Sequence, residues 1–95
     1  MENKAYYISK EADAKLRALA KKKDRSVNYL IIKMVQKAIK HKKGFAAMET
    51  SPGEKRTYYL PESVHQFIID QIPKSFNDHR TTRGYILTSI IMEWK

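Results

Sequence analysis

The sequence predicts a mostly α-helical chain with a two-stranded antiparallel β-ribbon, in the order β-α-α-β-α-α. Three observations predict it. Ala5-Tyr6-Tyr7-Ile8-Ser9 returns 52 positions later as Thr57-Tyr58-Tyr59-Leu60-Pro61. Each copy of this aromatic and aliphatic run is followed by an amphipathic segment, a polar break and a second amphipathic segment. A period near 50 in 95 residues leaves room for two copies of one small unit. A strand-helix-helix unit of that size cannot bury its own apolar face, so it needs its twin.

The elements follow in order. Tyr6-Tyr7-Ile8 favours a strand. Ser9 caps a first helix, with Glu11 in its first turn and Ala12, Leu16, Leu19 and Ala20 at helical spacing. That helix fades in Lys21-Lys22-Lys23-Asp24. Ser26 caps the second helix, whose apolar face runs through Val27, Leu30, Ile31, Met34, Val35, Ala38 and Ile39. Gly44 is expected to stop it. Residues 1–44 form the first repeat, 45–54 a linker and 55–95 the second repeat, all in one compact domain. Phe45 and Met48 are expected to touch the core as the linker returns.

In the second repeat, Leu60-Pro61 ends the strand, and the fixed φ of proline suits a helix start. Val64, Phe67, Ile68 and Ile72 make its stripe, and Pro73 stops the helix. After a break from Lys74 to Thr81, Thr82 caps the last helix. Its stripe of Ile86, Leu87, Ile90, Ile91 and Trp94 falls on Leu30, Ile31, Met34, Val35 and Ala38 at an offset of 56. The change from 52 to 56 marks four residues inserted in the break.

The formal charge of +9 points to a polyanionic partner. The charge is lopsided: residues 1–50 carry 13 Lys and Arg against 5 Asp and Glu, whereas residues 51–95 carry 6 against 5. The lysine runs at 21–23 and at 40, 42 and 43 also suit the negative poles of helix ends. No cysteine is present, which excludes a disulfide framework and thiolate zinc sites. No apolar run approaches the roughly 20 residues that cross a membrane, and no signal-type segment follows Met1. The expectation is an intracellular, cytoplasmic protein, or one inside a host cell if a virus or plasmid encodes it.

His41, His65 and His79 share no metal-ligand spacing and read as surface residues. Asp13, Asp70 and Asp78 form no catalytic set with them. Ser9, Ser26 and Ser89 read as caps or helix-surface residues, and no glycine-rich phosphate loop exists. No enzyme, metal or cofactor is expected.

A strand-helix-helix unit with a Ser/Thr cap on its second helix resembles the ribbon-helix-helix family, the class of the Met and Arc repressors. The resemblance covers residues 3–41 and 55–95. Arg25-Ser26-Val27-Asn28 is similar to the string that opens the second helix there, and the 18 residues from Ile8 to Ser26 also fit. The second copy departs from it, with Thr81-Thr82-Arg83-Gly84, a longer loop and Pro73. The resemblance implies two strands paired into a ribbon that enters the major groove of double-stranded DNA. A tandem chain would do this as an intramolecular, single-chain pseudodimer.

Alternation along each strand turns Tyr6, Ile8, Tyr58 and Leu60 inward. Asn3, Ala5 and Tyr7, with Lys55, Thr57 and Tyr59, then face outward as base readers. Lys55 suits guanine, Asn3 suits adenine, and the Ala5 and Thr57 methyls suit thymine. At the second-helix N-termini, backbone N–H groups of Val27 and Asn28, and of Arg83 and Gly84, are expected to hold phosphates. Arg25 and Arg83 would add charge, and Ser26 and Thr82 the caps. Because the two outward sets differ, an imperfect palindrome is the expected operator, and cooperative self-association along DNA is compatible with it.

The leading expectation is a sequence-specific transcriptional regulator. An accessory or architectural DNA-binding protein, for plasmid transfer or packaging, is the alternative. An antitoxin-type interaction module acting through a tail is expected less, as the last helix runs close to Lys95. A basic bundle on a membrane surface is disfavoured because mutual burial accounts for the apolar faces.

Overall fold

The computed structural model of the chain describes the backbone of residues 2–46, 53–72 and 79–94, and their side chains except those of 2 and 79–81. The elements are β1 (Glu2–Ile8), α1 (Lys10–Lys23), α2 (Val27–Lys40), β2 (Glu54–Leu60), α3 (Glu62–Asp70) and α4 (His79–Glu93). The fold is mostly helical, with four helices and one two-stranded antiparallel sheet. Both strands are longer than their tyrosine runs. Glu54 opens β2 and does not belong to the linker. Met48 lies outside the described residues.

The register pairs Asn3 with Tyr59, Ala5 with Thr57 and Tyr7 with Lys55. Residues that the sequence repeat equates, Ala5 and Thr57, therefore sit opposite each other at the middle of the ribbon. Burial alternates along each strand: Tyr6, Ile8, Tyr58 and Leu60 turn into the core, as expected. They meet Ala12 and Leu16 of α1, Leu30, Ile31, Met34 and Val35 of α2, Val64 and Ile68 of α3, and Ile86, Leu87, Ile90 and Ile91 of α4. Each aliphatic side chain so buried contributes roughly 1.5–3 kcal/mol. Phe45, Phe67 and Trp94 pack against this core half-buried. Phe45 is held there by its N–H, which donates to Oε1 of Gln71 (3.2 Å).

Local chemistry sets the helix ends. The Ser9 hydroxyl accepts from the N–H of Ala12 (3.0 Å), and the Ser26 hydroxyl from that of Tyr29 (3.1 Å). α1 ends with Asp24 in the left-handed region (φ 53°), and the N–H of Arg25 turns back to the Ala20 carbonyl (3.0 Å). α2 ends the same way. Lys42 takes the left-handed conformation (φ 52°) and the N–H of Lys43 reaches the Ala38 carbonyl (2.9 Å). The stop expected at Gly44 thus falls two residues earlier, and a lysine occupies the position that glycine usually fills. α3 follows Pro61 as expected and ends at Asp70, ahead of Pro73, which lies outside the described residues.

Three expectations are corrected. α4 begins at His79, so residues 79–81 belong to the helix and not to the break, and Thr82 is a buried position within the first turn and not a cap. Four inserted residues are close to one helical turn of 3.6, so the helix starts a turn early while its stripe keeps nearly the same face. His65 is buried, not on the surface: the Tyr6 hydroxyl and His65 Nδ1 share a hydrogen bond of 2.6 Å. Ser89 is buried as well, and its hydroxyl donates to Oε2 of Glu93 (3.0 Å). A buried His or Ser on a helix is invisible to hydrophobic periodicity, because polar residues are counted as outward.

Candidate nucleic-acid interface

Antiparallel pairing puts Asn3, Ala5, Tyr7, Lys55, Thr57 and Tyr59 on the one face of the ribbon that turns away from the core. Asn3, Lys55, Thr57 and Tyr59 are exposed, Tyr59 by 46 %; Ala5 and Tyr7 are half-buried. The strand rise of about 3.3 Å makes the face, from residue 3 to residue 7, about 13 Å long, close to four base-pair steps of a duplex. A two-stranded ribbon of this kind fits a major groove about 12 Å wide. Each end of the face carries one residue from each strand. Tyr59 stands opposite Asn3 at one end, and Tyr7 opposite Lys55 at the other.

The other side of the same strands is braced. Arg56 alternates inward and lies over α1, where Nε and Nη2 donate to the two carboxylate oxygens of Asp13 at 3.2 and 3.1 Å. Asp13 also meets Nε of Arg17 at 3.1 Å. This fork fixes one end of β2 against α1. The sequence contains both residues, but nothing in their spacing joins positions 13 and 56.

The two helix N-termini proposed as phosphate holders differ. At α2 the arrangement is as expected. Ser26 caps, and the N–H groups of Val27 and Asn28 make no hydrogen bond among the described residues. Arg25 is exposed beside them, its guanidinium 5.4 Å from the Tyr29 ring centre. At α4 the arrangement is otherwise. Arg83 and Gly84 are the fifth and sixth residues of the helix, so their N–H groups are directed to carbonyls one turn back. The Arg83 guanidinium lies 5.3 Å from the Tyr6 ring centre, and its Nε donates to the Ala5 carbonyl (2.8 Å). A Cβ on Gly84 would fall on the carbonyl oxygen of Tyr7. Ala5 and Tyr7 lie two apart, so both carbonyls point off the same edge of β1. Arg83 and Gly84 thus seat α4 along the free edge of β1. Gly84 serves the close approach of a strand, where a phosphate contact from its N–H was expected.

Burial raises the phenol pKa of both core tyrosines well above the usual value. For Tyr6 the Arg83 charge opposes this and Glu62 adds to it; for Tyr58, Asp13 adds and Arg56 opposes. Both are therefore neutral anchors. Among the described residues no cluster of His, Asp or Glu could hold a metal ion, and no helix is long and apolar enough to cross a membrane.

No protein-family model matches the chain, and neither a curated protein nor a solved structure shows significant similarity to it.

Proposed function

We propose that this chain is a sequence-specific, double-stranded-DNA-binding regulator. On this reading it is a tandem ribbon-helix-helix protein, a single-chain pseudodimer that places its ribbon in the major groove. The observation that carries the reading is the register. Equivalent residues Ala5 and Thr57 pair at the ribbon centre, and all six outward side chains share the face turned from the core. A pseudo-twofold axis through that pair would match the twofold axis of a palindromic site. The Arg25-to-Asn28 segment supplies one phosphate clamp. On the α4 side the clamp is expected to be weaker, because Arg83 is engaged with β1.

The register also sharpens the expected site. Tyrosine stands at both ends of the face, so the half-sites share that contact. The difference lies in Asn3 at one end and Lys55 at the other. Asn suits adenine and Lys suits guanine, so the operator is an imperfect palindrome that differs at its two outer positions. Selection of bound sequences from a random duplex pool tests this. Lys55→Ala should relax guanine preference in one half-site only. Enrichment of no sequence, or the same consensus from wild type and Lys55→Ala, would refute the ribbon as the reader.

A further inference from the structure

The ribbon reading leaves most of the positive charge unused. Apart from Lys4 and Arg25, the lysines and arginines of residues 1–50 lie on neither the strand nor the clamp. Three of them, Lys33, Lys37 and Lys40, lie on α2, and Lys23 stands a few residues before it. A groove of about 560 Å³ lies along the outward side of this helix, lined by Lys23, Arg25, Tyr29, Lys33, Lys37 and Lys40 and bounded by Trp94. It follows a helix of 14 residues, hence about 21 Å long.

The composition of the groove departs from an ordinary solvated face. α2 contains no Asp or Glu. Glu93, next to Trp94, is engaged with Lys43, and Asp24, between Lys23 and Arg25, is exposed and forms no ion pair among the described residues. None of the five groove cations forms an ion pair among the described residues. Lys33 and Lys37 are four apart, and Lys37 and Lys40 three apart, so like charges crowd one face and weaken the free helix. Two rings hold part of this charge in place. Arg25 and Lys33 lie 5.4 and 5.9 Å from the centre of the Tyr29 ring, and Lys37 lies 5.0 Å from that of Trp94. Such contacts position ammonium groups without neutralising them.

The second repeat lacks the feature. At the offset of 56 that aligns the helices, Lys33 corresponds to buried Ser89 and Lys37 to Glu93. The groove is therefore a property of one repeat and not of the fold. The groove shares Arg25 with the clamp at one end of α2 and runs from there to Lys40 and His41 at the other end, so Lys33, Lys37 and Lys40 lie progressively farther from the clamp.

We propose that this groove is a second nucleic-acid site, which takes the phosphate backbone of a duplex segment other than the one held by the ribbon. Fixed cations with no internal counterion gain most from a polyanion, because binding releases the counterions condensed on the nucleic acid. One molecule then bridges two DNA segments. The bridging rests on the ribbon reading; the affinity of the groove for phosphate does not.

The test loads the full chain onto a surface-tethered duplex and measures capture of a second, fluorescent duplex, of a single strand and of phosphatidylserine vesicles. The variant Lys33→Gln/Lys37→Gln/Lys40→Gln should load as wild type does and lose second-duplex capture by about tenfold or more. The matching triple arginine variant should keep it, which separates charge from folding. Capture by the glutamine variant at the wild-type level would overturn the proposal, as would a preference of wild type for vesicles or for the single strand. If Lys55→Ala/Tyr59→Ala loads like wild type, the ribbon reading fails, and the groove is judged by the glutamine variant in direct duplex binding.

Discussion

Tyr6 and Tyr58 occupy matching inner-face positions and end differently. The residue facing Tyr6 from α3 is His65, and at the offset of 52 its counterpart on α1 is Asp13. Asp13 is taken by Arg56, and the Tyr58 hydroxyl is buried with no hydrogen-bond partner among the described residues. A made buried hydrogen bond is worth about 1 kcal/mol, and an unmade one is a penalty of about 1–3 kcal/mol. Tyr6→Phe should therefore lower stability by about 1 kcal/mol or more, whereas Tyr58→Phe should be neutral or stabilising by about 1 kcal/mol. Equal losses in urea denaturation would contradict the assigned geometry. Both phenols also set an alkaline limit. Their folded pKa is raised above the unfolded value, near 10, so the stability they contribute is complete below that pH. Above it the unfolded state ionises first, and stability should fall by at most about 1.4 kcal/mol per pH unit for each tyrosine. Unfolding followed between pH values of roughly 9 and 11 should show this loss, and Tyr6→Phe should reduce its slope.

Helix ends decide where the elements stop, and two of them carry side chains in left-handed backbone. A Cβ there costs about 1–2 kcal/mol relative to a right-handed residue, less for Asp than for Lys. Lys42→Gly should raise stability by up to about 1 kcal/mol, and Asp24→Gly by less. A calorimetric scan that ranks them the other way would count against these turn assignments. α4 offers the opposite case. Alanine is the better helix former, by about 1 kcal/mol, yet at Gly84 its methyl group would meet the Tyr7 carbonyl. Backbone cannot yield as a side chain can, so Gly84→Ala should destabilise by about 1–3 kcal/mol. It should also weaken DNA binding by tilting β1. The stripe of α4 was legible at 3–4 spacing, but its start was not. Thr82 has the chemistry of a cap, and only the inserted turn made it an interior residue.

For the whole molecule, two surfaces of different chemistry are built on one core, the ribbon face and the α2 groove that begins at Arg25. The ribbon face is a mixture of methyl, amide, phenol and a single ammonium; the α2 groove gathers five cations around two aromatic rings and has no carboxylate in its lining. On a short duplex with only the ribbon engaged, about four to six phosphate contacts should give a log–log salt slope of about −4 to −5. On long DNA the groove should add about 2–3 to that magnitude, and the triple glutamine variant should remove the increment. The element order, the antiparallel ribbon, its inward tyrosines and the apolar stripes were all readable from the chain. Each follows from periodicity within a segment or from the recurrence of one pattern along the chain, and both are visible in the order of residues alone. The outward six were readable too, since strand alternation leaves them one face. The Asp13–Arg56 fork, the Tyr6–His65 bond, the seat of Arg83 and Gly84 on β1, and the gathering of the α2 lysines about Trp94 were not. Those pairs lie 43, 59, 78 and more than 50 positions apart. Spacing along a chain carries no information about such contacts; only the packing of the first half of the chain against the second brings them into range.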